Sequence, residues 1–332
     1  MTMNTLPKIS IVTPSFNQGQ YLEQTIDSVL SQDYPNLEYF IVDGGSTDNS
    51  KEIIEKYAKH LTWWVSEKDN GQSHAINKGL SRATGEIINW INSDDYYEPD
   101  ALKTVAKAFE NPKITMATFR ANVFGLQNRR SRGTDLYQDN LPKAIAYSRI
   151  DQPETFFRKS AIDHIGLLNE DLHYCMDKEW LMRYFLFFGN QRTMSIDSTI
   201  LNFRYHEDSK STLHQTKFEQ EADRIYLSLA TKHNYEPAVN AIKAINQNSL
   251  AELEFTLKFT NNETIHYALN YYLFKRYCEK YEALEWSACS KLAKQINLYW
   301  LARIDRSFLV KLERKRKLLP TSIIKLLRKG RR

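Results

Sequence analysis

The chain has 332 residues, 42% of them apolar and 26% charged, which excludes a disordered or collagen-like polymer and suggests about two domains with proper cores. Its 3 cysteines, Cys175, Cys278 and Cys289, are too few and too scattered for a disulfide framework or a zinc site, and no run approaches the ~20 apolar residues of a membrane span. The net charge of +5 is unevenly spread: residues 301–332 hold 12 Lys/Arg against 2 Asp/Glu, the rest 33 against 38, so a nucleic-acid-binding body is disfavoured.

The opening residues, MTMNTLPK, lack the apolar core of a signal peptide, and a reducing, cytoplasmic setting is expected. Ile9–Thr13 (ISIVT) reads as a buried strand. Leu22, Ile26, Val29 and Leu30 repeat at helical spacing and predict a helix over 20–32. Tyr39–Val42 (YFIV) predicts a second strand that stops at Asp43-Gly44-Gly45, followed by a helix over Thr47–Lys59. Leu61–Val65 is a third strand, Ser73–Ala83 a third helix, and Glu86–Ile91 a fourth strand ending at Asn92-Ser93-Asp94-Asp95. Short β-branched runs alternating with amphipathic helices indicate a parallel α/β sheet. Ser195–Leu201 is again strand-like. From about 210 to 319 almost nothing interrupts a helix, in a stretch rich in Lys, Glu, Ala, Leu and Tyr.

Ligands of open α/β sheets bind at the carboxyl ends of strands. Three polar clusters fall there: 13–17 (TPSFN), 43–48 (DGGSTD) and 92–95 (NSDD). Adjacent carboxylates such as Asp94 and Asp95 repel unless something positive is near, and Mg²⁺ or Mn²⁺ would supply it; a solvated turn or a helix start after Pro99 is equally open. Asp43 precedes two glycines that let the backbone approach a ligand, and its carboxylate could accept from a base N–H or a ribose hydroxyl. It could instead cap the next helix, although Ser46 or Thr47 can do that alone. Neither G-x-G-x-x-G nor G-K-[ST] follows the strands.

The segments SIVTPSFNQGQYLEQTIDSVLSQDYPNLEYFIVDGGSTDNS and SEKDNGQSHAINKGLSRATGEIINWINSDD resemble the start and middle of a family 2 glycosyltransferase with the GT-A fold. The similarity runs from about residue 8 to 206. It implies a Rossmann-like mixed sheet flanked by helices, with a helical C-terminal region, and an inverting transfer from a nucleotide-sugar, a UDP-sugar above others. By that resemblance Thr13, Pro14 and Asn17 line the nucleotide pocket, and Asp43 holds the base. Asp69, Asn77 and Lys78 cover ribose and phosphates. Asn92-Ser93-Asp94-Asp95 matches the DXD-type motif with Asn in its first position: Asn92 joins the donor pocket, Asp94 contacts ribose or metal, and Asp95 the Mn²⁺ or Mg²⁺ that bridges the diphosphate.

Gln152-Pro153-Glu154-Thr155-Phe156-Phe157 is similar to the family's acceptor-side strand and turn. In LHYCMDKEW, from Leu172, the acid matching the catalytic base is Asp177; Met176 replaces the usual acid before it, which leaves Glu179 as a substitute base. Read without the family, Asp177 simply opens a helix. His206 matches a histidine that completes the metal site or contacts the diphosphate. Two other readings compete: a catalytically inactive sugar- or nucleotide-binding partner, suggested by Asn92 and Met176, and a sugar nucleotidyltransferase, whose glycine-rich loop is missing.

The division expected is a catalytic domain over 1–208, a helical domain over 209–300 and a basic amphipathic tail over 301–332. Aromatics at helical spacing (Tyr267, Tyr271, Phe274, Tyr281) suggest core packing. The tail suits an anionic membrane surface on the inner face of the cytoplasmic membrane, or else a docked helix with a solvated end. The acceptor implied is a glycan or a lipid-linked acceptor, in surface polysaccharide, O-antigen, capsule or glycolipid assembly.

Overall fold

The computed structural model describes residues 6–207, 209–246, 250–254 and 261–329. The chain begins as strict alternation: β1 (Ile9–Ser15), α1 (Gly19–Leu30), β2 (Leu37–Asp43), α2 (Ser50–Tyr57), β3 (Trp63–Ser66), α3 (Gln72–Leu80) and β4 (Ile87–Trp90). Then come β5 (Tyr96–Tyr97), α4 (Ala101–Ala108), β6 (Met116–Gly125), β7 (Arg129–Arg130), α5 (Leu141–Tyr147), β8 (Thr155–Arg158), α6 (Lys159–Ile165), α7 (Met176–Phe188), β9 (Thr193–Tyr205) and α8 (Lys210–Leu213). The remainder is helical: α9 (Gln215–Lys232), α10 (Glu236–Ile245), α11 (Asn262–Glu282), α12 (Trp286–Ala293), α13 (Arg303–Leu318) and α14 (Thr321–Lys329).

The strands form one sheet in the order β3-β2-β1-β4-β8-β6-β9-β5, with β7 paired to β6. β1 is buried along its whole length, as a strand covered on both faces must be. It pairs in parallel with β2 and β4. The sheet is mixed rather than parallel throughout, because β8 runs antiparallel to both β4 and β6. Parallel pairing needs a crossover connection between strands. That alternation lasts only to β4, and β8 enters from irregular backbone. The result is a mixed sheet flanked by helices, as the resemblance implied.

The core beneath the sheet is built from Ile9, Ile11, Leu22, Ile26, Val29 and Ile41, all fully buried, and continues through Phe119 and Phe156, whose rings meet edge to face at 6.1 Å. α3 lies so close to β1 that a Cβ on Gly79 would sit 2.5 Å from Val12 Cγ1. On the other side, Thr25 of α1 points its hydroxyl at the carbonyls of Ser93 (2.9 Å) and Asp95 (2.6 Å), tying that helix to the turn after β4.

By its contacts the chain divides into two compact units, residues 1–138 with 148–218 and residues 139–147 with 219–332. The second unit takes in α5, a segment the sequence assigned to the catalytic domain, because Ala144, Ile145 and Ala146 are buried there. Within it Tyr226 stacks on Tyr272 with centroids 3.7 Å apart, and Arg276 is buried against Asp223 at 3.0 Å. Tyr271, Phe274 and Tyr281 are buried in the same unit.

The close approach of α3 to β1 is testable. Val12 is β-branched and fully buried, so its methyls have nowhere to rotate. Gly79→Ala is expected to destabilise the protein by roughly 1–3 kcal/mol in denaturant unfolding. A neutral or stabilising result would show that the interface yields.

Candidate active site

β1, β2, β4 and β9 bring their ends together around a cavity of about 780 Å³ in the first unit. β5 pairs antiparallel with β9 (Tyr96 opposite Asn202), so residues just before β5 and at the end of β9 become neighbours. Asp94 Oδ2 therefore lies 2.9 Å from His206 Nε2, both on the cavity wall. Arg204 secures this junction: its Nε donates to the Asp94 carbonyl at 3.1 Å, its Nη2 to Gln24 at 2.6 Å, and its guanidinium lies over the Tyr21 and Phe124 rings.

Asp95 does not line the cavity. It is 1% exposed, and both its oxygens are engaged: Oδ1 accepts from the Arg204 backbone N–H at 2.9 Å and Oδ2 from Asn92 Nδ2 at 3.1 Å. Burial, then the charge of Asp94, hold its carboxyl well above the usual range. Of the two acids expected to meet a metal, the structure turns Asp94 into the cavity and uses Asp95 as a strut below it. Asn92 lines the cavity and accepts from Gln72 Nε2 at 3.0 Å.

At the expected nucleotide end, the proposed base-holder Asp43 is fully buried. Its carboxylate accepts from the backbone N–H groups of Gly45 (3.1 Å) and Ser46 (2.9 Å) and from the Ser66 (2.7 Å) and Ser46 (2.5 Å) hydroxyls. A carboxylate so satisfied organises the turn. The carboxylate on the wall is Asp69, beside Gly44, where a Cβ would lie 2.8 Å from Asp69 Oδ2. Pro14, Ser15, Phe16 and Gln18 line the cavity, whereas Thr13 is buried with its hydroxyl 3.0 Å from that of Tyr39.

Asn17 adopts a left-handed conformation (φ 51°) and braces the 43–48 turn, accepting from Thr47 N–H at 2.8 Å. Asn77 is buried and donates to the Leu168 carbonyl and Glu170 Oε1, each at 2.9 Å, so it holds the 168–170 segment rather than a ligand. Lys78 pairs with Glu67 at 2.8 Å; neither residue lines the cavity.

Asp177, in the first turn of α7, lines the cavity beside Met176. Its Oδ1 accepts from the Lys178 N–H at 2.7 Å. Glu179 is fully buried and held at both oxygens by Arg183 (2.7 and 2.9 Å), which also donates to the carbonyls of Ile165 and Leu167. Glu179 is thus removed from the role of substitute base, because its partner locks it inside the protein.

Glu154, Asp151 and Ser131 also line the cavity; the resemblance placed Glu154 only within the acceptor-side strand and turn, and nothing in the sequence singled out the other two. Glu154 is 2% exposed and accepts from Ser131 Oγ at 2.6 Å; burial, with the charge of Asp151, pushes its carboxyl up to about 8. A carboxyl inside the apolar run PETFF was the available signal. Gln152 fixes this wall by donating to Asn89 Oδ1 (2.8 Å) and the Trp90 carbonyl (3.0 Å).

Among the described residues no three His, Cys, Asp or Glu side chains converge as a self-contained metal cage. Asp94 and His206 offer a hard oxygen and an imidazole nitrogen on an open wall. Mg²⁺ and Mn²⁺ characteristically take one or two protein ligands and complete their shell with phosphate oxygens and water, so this pair fits such an ion held jointly with a diphosphate.

Comparison with known proteins agrees with the fold. The family described as "Glycosyl transferase family 2" matches residues 10–188. The putative teichuronic acid biosynthesis glycosyltransferase TuaG of Bacillus subtilis is 38% identical over 105 residues, 30% of this chain and 41% of that protein. The hyaluronan synthase of Pasteurella multocida is 36% identical over 122 residues, 36% of this chain and 13% of that protein. These matches span less than half the length of either relative. The S. aureus TarS 1–349 structure in complex with UDP superposes with a TM-score of 0.59 at 18% identity, covering 93% of this chain and 88% of that one.

The raised Glu154 carboxyl has a pH signature. Its proton is held in the folded state up to about pH 8 but is lost near 4.5 when unfolded, so this group's stabilisation is full below pH 4.5 and declines as pH rises to about 8. The melting temperature of wild type relative to Glu154→Gln should therefore fall from pH 5 to 8 and then level. Parallel profiles would show that Glu154 titrates normally.

Proposed function

Because the chain belongs to glycosyl transferase family 2, we propose that it moves a sugar from a nucleotide-sugar to an acceptor hydroxyl with inversion at the anomeric carbon, in a divalent-metal-dependent reaction. The observation that carries this is the meeting of Asp94 and His206 at 2.9 Å on the cavity wall that also holds Asp69 and Asp177. UDP is the nucleotide we favour, since the similarly folded TarS domain was crystallised with it. The names of TuaG and hyaluronan synthase support a glycan or lipid-linked acceptor in surface polysaccharide or glycolipid assembly.

Each residue has a separate task. Asp69 accepts a hydrogen bond from the base or ribose, the part first assigned to Asp43. Asp94 and His206 would hold Mn²⁺ or Mg²⁺, and such an ion would supply positive charge against the leaving group. Asp177 accepts the acceptor hydroxyl proton as its oxygen attacks the anomeric carbon opposite the departing diphosphate. Asp95 and Arg204 keep Asp94 and His206 in register.

Two experiments test the reading. In a thermal-shift screen with UDP, GDP, dTDP and CMP, with and without Mn²⁺, a nucleotide at 100 times its dissociation constant should add ~2.7 kcal/mol of stability. Metal-dependent stabilisation by UDP that Asp94→Ala abolishes supports the donor site; no stabilisation by any nucleotide overturns it. Asp177→Asn should lower turnover by ~10²–10⁴-fold and leave the UDP shift unchanged. Normal turnover in that variant removes Asp177 as base, and binding without turnover in wild type identifies an inactive partner protein.

A further inference from the structure

Sugar transfer leaves the basic carboxyl-terminal stretch without a task, and the fold sorts its side chains sharply. α13 buries Leu309 and Leu312 and commits both its acids to internal partners. Asp305 accepts from Lys143 Nζ at 2.8 and 3.0 Å; Glu313 accepts from the Tyr277 hydroxyl at 2.6 Å and from Arg316 Nε at 2.8 Å. The outward face is left with Arg303, Ile304, Lys311, Arg314 and Leu318, all exposed, with Ile304 at 77% and Leu318 at 71%. α14 repeats the arrangement: Ile324 is buried while Lys325 and Leu326 are exposed, Leu326 at 70%. No Asp or Glu occurs after Glu313.

We propose that the outward face of α13 and α14 docks on an anionic lipid bilayer. An ordinary solvated helix face interleaves both signs of charge, whereas this one has lost its acids to the interior. Lysine and arginine answer anionic headgroups, and the exposed Ile304, Leu318 and Leu326 have in the acyl boundary an apolar medium that a nucleic acid would not provide. No helix among the described residues is long and apolar enough to cross a membrane, so the contact is peripheral. This surface stands independently of the cavity and its chemistry.

The test is co-sedimentation of the full chain with vesicles of phosphatidylglycerol and phosphatidylcholine, and of phosphatidylcholine alone. Binding should require phosphatidylglycerol and weaken with salt. Each basic residue at such a surface strengthens binding about fivefold, so Arg303→Gln with Lys311→Gln and Arg314→Gln should lower the partition constant about 100-fold. Leu318→Gln with Leu326→Gln should weaken the binding that survives high salt while leaving the unfolding midpoint in place. Equal binding to both vesicle types, no binding by the full chain, or undiminished binding by the triple variant overturns the proposal. So does sedimentation velocity showing a dimer that the triple variant abolishes.

Discussion

The first unit depends on one buried carboxylate. Asp95 reaches in three directions: its carbonyl accepts from Thr25 on α1, Oδ1 from the Arg204 backbone on β9, and Oδ2 from Asn92 in its own turn. Burying a carboxyl beside another acid is costly, and its raised proton affinity records that cost. In exchange, three elements distant in sequence share one fixed point. It reinforces the β5–β9 pairing that brings His206 to Asp94.

The same logic separates the acids of this fold by burial. Asp43, Asp95 and Glu179 have their oxygens engaged by the protein itself, by turn amides and hydroxyls, by Asn92 and Arg204, and by Arg183 respectively. Asp69, Asp94 and Asp177 stand on the cavity wall. Asp43 organises the 43–48 turn next to Asp69, and Asp95 is the residue after Asp94. Gly44 makes the first pairing possible, since any side chain there would strike Asp69.

The first four strands and three helices were legible because period and punctuation agreed: β-branched runs ended at Gly or Asp, and amphipathic helices followed. The meeting of polar clusters at strand ends was legible for the same reason. The division of labour inside each cluster was not. Asp94 and Asp95 are equivalent by residue type and by position after an apolar strand; only the β5–β9 pairing, between residues over 100 apart, decides which one turns inward. Likewise Asp43 precedes two glycines, but the Ser66 hydroxyl that helps saturate it lies on another strand. The mixed sheet was legible only through the family resemblance, since period alone indicated a parallel sheet: β8 is four residues long and the composition of TFFR says nothing of direction.

Electrostatics constrains what the cavity can hold. Asp69, Asp94, Asp151, Glu154 and Asp177 all face it, together with Lys68, Arg129, Lys210, His173 and His206. Five ionised carboxylates around a diphosphate would repel it strongly in a site partly shielded from water. Two of the five are softened by their surroundings: Glu154 retains its proton near neutral pH, and burial likewise raises the carboxyl of Asp151 against the pull of Arg149. Asp94 has His206 against it. Asp69 and Asp177 complete the set of acids on the wall. In the transfer proposed above, Asp69 would serve the nucleoside and Asp177 the attacking hydroxyl, while a Glu154 that keeps its proton on the same cavity wall would set no further charge against the phosphates.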